Sequence, residues 1–73
     1  MTTTGEWVRA YAAAAGTSPP SQDDIDLLLQ LAAVAAHSSE RTAAPITCWI
    51  AATAGLAPAD ALALAESLEP ESS

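Results

Sequence analysis

The residues with the most chemical capacity in this chain lie close together. His37, Glu40 and Arg41 are followed by Pro45, Thr47 and Cys48. The group includes the only histidine, the only cysteine and one of two basic residues. An imidazole, a carboxylate and a guanidinium at this spacing could form a small polar recognition patch. Pro45 is placed to start a helix, whose free amides near Ala43 to Ile46 would add an anion-accepting end. A purely local reading competes with this one. His37 can stabilise a helix C-terminus, and Glu40 can pair with Arg41 or with solvent. Cys48 would need a base to act as a nucleophile, and a metal site would need more Cys and His than the chain owns. Its thiol therefore reads as inert and partly buried. Asp23, Asp24 and Asp26 lack the glycine and the bidentate glutamate of a calcium loop, so they read as helix-capping residues. The three glycines are scattered and form no phosphate-cradling loop. No catalytic residue, metal or cofactor is expected, and the chain does not read as an enzyme.

Helices must position these groups. The pattern predicts a first helix from about Thr4 to Ala15, with Thr4 as cap, Glu6 in the first turn and Gly16 as its stop. Trp7, Tyr11 and Ala14 share a face of it. Pro19-Pro20 breaks the chain. Ser21 to Asp24 reads as a capping box opening a second helix that runs to His37 or Ser38. Ile25, Leu28, Leu29, Ala32 and Ala36 form one apolar face, and Leu27, Leu31 and Val34 an adjoining one. Only Asp26, Gln30, Ala33 and His37 make a wet stripe, so this helix is expected at the centre. A third helix follows, capped near Thr42 or Ala44, with Ile46, Trp49, Ile50 and Thr53 on one face and Gly55 closing it. Pro58 starts a fourth, whose expected core face is Ala61, Leu64, Ala65 and Leu68, with Leu62 at the edge. Trp49 and Trp7 read as core residues at helical spacing, with a role as interface anchors the alternative. No run alternates like a strand. The fold class is all-α, a compact bundle of four short helices.

Composition narrows the rest. Seventy-three residues make one domain, ordered over about 4–69 with an acidic tail at 70–73. Such a chain buries only about 60% of its unfolded surface and has no room for a large internal substrate pocket. The net charge is -7 and there is no lysine, which argues against nucleic acid and anionic membranes. No secretory leader and no apolar run long enough to span a bilayer is visible, so the expected compartment is the cytoplasm.

The segment Leu31 to His37, followed by Glu40-Arg41-Thr42-Ala43-Ala44-Pro45-Ile46-Thr47, resembles a family of small, uncharacterised bacterial helical domains. In that family a Trp-containing helix precedes an acidic-capped helix ending near V-A-H. An R-x-A-A-P-[LI]-T segment and an aliphatic helix closed by Gly then follow. The resemblance covers roughly residues 5 to 68. Family members occur alone or fused to molybdenum cofactor guanylyltransferase-like (MobA-like) proteins. The resemblance implies an accessory role in maturation of molybdopterin guanine dinucleotide, or with a molybdenum enzyme such as formate dehydrogenase. It marks His37, Arg41, Pro45 and Thr47 as motif positions. With Glu40 they are the candidate partner- or ligand-binding residues. The expected function is a non-catalytic interaction domain with a protein partner, a MobA-like protein or a molybdoenzyme. The alternatives are a small anion- or cofactor-binding module built on the 37–47 connection, and a homodimeric helical subunit.

Overall fold

The structure, a computed structural model, describes residues 3–69. The expected acidic tail at 70–73 lies outside the described residues. Four helices follow in order: α1 (Thr4–Ala15), α2 (Gln22–Ser38), α3 (Ala43–Thr53) and α4 (Pro58–Ser67). The protein is a small all-α bundle, and no strand occurs among the described residues. No helix of the described residues is long and apolar enough to cross a membrane.

Local chemistry accounts for the helix ends. The cap of α1 is Thr3, one residue earlier than the pattern predicts. Thr3 Oγ1 accepts from the Glu6 amide at 3.1 Å, and the Glu6 carboxylate accepts from the Thr3 amide at 3.4 Å. This reciprocal box requires a three-residue spacing, which Thr3 and Glu6 have and Thr4 and Glu6 do not. At the other end Gly16 takes φ +80°, and the Thr17 amide donates to the Ala12 carbonyl at 2.9 Å. Ser21 caps α2 by accepting from the Asp24 amide at 3.1 Å, but the return half of the expected box is not made. Aspartate is one methylene shorter than the glutamate that closes such a box. Pro58 opens α4 at its first turn, as expected.

α2 packs against both α3 and α4 and is the central element. Leu31, only 1% exposed, is the pivot of a core completed by Ala51, Ala61 and Leu62. Leu27, Leu28, Val34 and the half-buried Cys48 lie against it. The wet stripe of α2 is where the wheel puts it, with Asp26, Gln30, Ala33 and His37 exposed. Leu29 joins that stripe instead of the core, because neighbours cover α2 on one side only.

Two helices are rotated relative to expectation. On α3 the buried or half-buried positions are Ala43, Ala44, Thr47, Cys48 and Ala51, while Ile46, Trp49 and Ile50 are exposed. The small side chains let α3 approach α2 closely, and the bulky ones project from the opposite face. On α4 the buried pair is Ala61 and Leu62, and Leu64 and Leu68 are exposed. Leu62, expected at the edge, is core.

α1 shares no seam of similar extent with any other helix. Ala12 is its one buried residue. Beside Ala12, residues 17–20 turn back along α1 to form a shallow cavity lined also by Trp7 and Tyr11. Those two rings lie 6.1 Å apart at 40°, and both are more than half exposed. Trp7, like Trp49, is therefore not a core residue. Because α1 is so loosely attached, its cap should act locally. Thr3→Ala should weaken α1 by about 1 kcal/mol. Amide exchange over the first turns of α1 should accelerate, while the global unfolding midpoint stays close to wild type.

Candidate functional site

The connection between α2 and α3 is short and built from main-chain turns. The Ser39 amide still donates to the Ala35 carbonyl at 3.1 Å, ending α2. The chain then reverses through Glu40, Arg41 and Thr42. The Ala43 amide donates to the Glu40 carbonyl at 2.9 Å, and the Ala44 amide to the Arg41 carbonyl at 3.2 Å. Pro45, the third residue of α3, has no N–H. The first three positions of α3 thus hold no free amide. Of the anion-accepting helix end expected near Ala43 to Ile46, the Ala43 and Ala44 amides are therefore already engaged by the turn. Thr42 caps α3 by position only and makes no side-chain bond to it.

The polar side chains of this connection are uncommitted. His37, Glu40 and Arg41 are exposed, and among the described residues none makes a side-chain hydrogen bond. Of the local reading, the Glu40–Arg41 pair is not made, while His37 does stand in the last turn of α2 and Glu40 faces solvent. No buried polar side chain depends on them either. Changing His37 and Arg41 together to alanine should therefore shift stability by no more than about 0.5 kcal/mol in a thermal or urea melt.

Thr47 is separated from these residues. It is half-buried one turn into α3 and lines an open groove of about 310 Å³. Pro45 is exposed beside the turn. The groove runs between the C-terminal half of α2, α3 and α4, with Leu31, Ala51 and Ala61 as its floor. Ile50, Leu56, Leu64 and Leu68 form its apolar sides, and Ser38 and Ser39 lie at the end nearest the polar turn. No lining residue is charged. The candidate residues thus divide into an exposed polar turn and, next to it, an apolar groove that receives only Thr47.

Inspection of the sequence misses this groove. Its signal is present in α3, which carries no charged residue over Ala43–Thr53. A helix with two uncharged faces, one of small and one of bulky residues, has no wet side to orient it. The bulky face is the natural first choice for the core, and here it faces outward.

Among the described residues, no three His, Cys, Asp or Glu side chains come together in a way that could hold a metal ion. Over residues 1–71 the sequence matches a family described as a domain of unknown function, DUF6457. No curated protein and no solved structure matches the chain.

Proposed function

This chain belongs to the DUF6457 family, and we propose that it is a non-catalytic accessory domain that binds another protein through the turn between α2 and α3. The carrying observation is the polar turn itself. Among the described residues His37, Glu40 and Arg41 are exposed and make no side-chain hydrogen bond, and no buried polar side chain relies on them. Arg41 is the only basic residue after Arg9 in a chain of charge -7. A guanidinium standing alone in such a field suits a carboxylate presented by a partner. Pro45 is exposed beside the turn, and the half-buried Thr47 lines the adjoining groove.

The partner class comes from the resemblance of the Val34–His37 and Arg41–Thr47 segments. It is a molybdenum cofactor guanylyltransferase-like protein, or a molybdoenzyme such as formate dehydrogenase that carries the finished cofactor. The domain itself needs no cofactor in this reading. In this reading it acts in the cytoplasm.

The test is a binding titration of the full chain against the guanylyltransferase-like protein and a molybdoenzyme of the same organism. The wild-type chain should bind one of them. The double change of His37 and Arg41 to alanine should weaken that binding by about 1–3 kcal/mol with helicity retained. Normal binding by the double variant, or no binding of either protein by the wild type, would remove this reading.

A further inference from the structure

The apolar face formed by α3 and α4 is large for a single chain. Trp49 is 72% exposed, Ile46 and Ile50 59%, Leu64 52% and Leu68 74%. Ile50, Leu64 and Leu68 border one groove with Leu56, and Ile46 and Trp49 continue the same surface around α3. Together these six side chains expose roughly 650 Å², near the ~800 Å² per partner of a stable interface. Among the described residues the buried core has two bulky members, Leu31 and Leu62. More bulky apolar side chain lies on this face than in the core beneath it.

Charge selects what covers the face. The protein is acidic, with nine carboxylates against two guanidinium groups. A basic partner would be expected to meet carboxylates, but α3 has none and no residue lining the groove is charged. Two copies of so acidic a chain repel one another wherever their charged surfaces meet. They can approach where charge is sparse: α3 and the groove lining carry none, and the α4 carboxylates Asp60 and Glu66 are not part of that lining. A two-fold axis then brings the same patch of each copy together, so every exposed apolar residue finds an apolar counterpart.

We propose that the occupant is a second copy of this chain, and that the protein is a homodimer joined through the α3–α4 face. Trp49 and Leu68, the two most exposed of the group, are its anchors. The polar turn at Glu40 and Arg41 lies outside the face, so this inference stands apart from the partner reading. The His37 and Arg41 double variant should remain dimeric whether or not it still binds a partner.

Sedimentation equilibrium of the full chain over a range of concentrations tests the proposal. The wild-type mass should be twice 7.4 kDa at micromolar concentration. Trp49→Glu and Leu68→Glu should each raise the dimer dissociation constant about 30-fold or more. Circular dichroism should show their helices kept. Loss of helix in these variants beside a dimeric wild type also supports the proposal, because neither side chain is needed inside one chain. Trp7→Ala, on the loosely attached α1, should leave the dimer intact. A wild-type chain that stays at 7.4 kDa, or folded glutamate variants that remain dimeric, would overturn it. So would a dimer lost through Trp7→Ala alone.

Discussion

Leu31→Ala should destabilise the protein by about 2–5 kcal/mol, the largest effect expected of any single truncation here. Leu31 is the one bulky side chain buried to 1% exposure, and it meets Ala51 of α3 and Ala61 and Leu62 of α4 in a single cluster. Truncation removes its own transfer free energy and leaves a void between three helices. The alanines around it are too short to collapse into that void. A domain of this size has a total stability of roughly 4–11 kcal/mol. The variant should show a much lower midpoint in a urea or thermal melt, or little cooperative folding at all. A wild-type midpoint would mean that α2 is not the centre of the bundle.

Leu62→Ala should be the second most costly change, at about 2–4 kcal/mol. Leu64→Ala, two residues along the same helix, should change the folding of an isolated chain by no more than about 1 kcal/mol. Leu62 is 8% exposed and touches the cluster around Leu31, whereas Leu64 is 52% exposed on the groove side. Composition and helix propensity are the same for both substitutions, so the difference reports only the rotation of α4. Melts should be recorded at dilutions where the chain is monomeric, because a dimer would add its own contribution at Leu64. If Leu64→Ala proved the more damaging, α4 would be turned as the sequence pattern alone suggests.

The rotations of α3 and α4 show where sequence patterning stops being informative. A helical wheel finds a core face by contrast with a charged face. α2 has that contrast, with Asp26, Gln30 and His37 along one stripe, and its orientation was readable apart from Leu29. α3 has no charge to supply it. Ile46, Trp49 and Ile50 are the larger hydrophobes, and area alone would bury them. The helix instead buries Ala44, Thr47, Cys48 and Ala51, because small side chains bring its backbone close to α2 and let Leu31 fill the seam. In α4 the choice between Leu62 and Leu64 was similarly open, with alanine on either side of both.

The candidate site divides along the same line. The chain by itself identified the polar turn, since His37, Glu40 and Arg41 are rare residue types in an Ala-rich acidic sequence. It also marked the helix starts, because caps, prolines and glycines act through local backbone geometry. The tertiary structure decided three further things. It engaged the Ala43 and Ala44 amides at the start of α3 within the turn. It left α1 without a broad seam on the other helices. It turned the bulky faces of α3 and α4 outward beside an apolar groove. Local signals depend on residues a few positions apart and are legible one helix at a time. Which face a helix buries depends on how closely two backbones can approach, and that is set by side chains on both helices together.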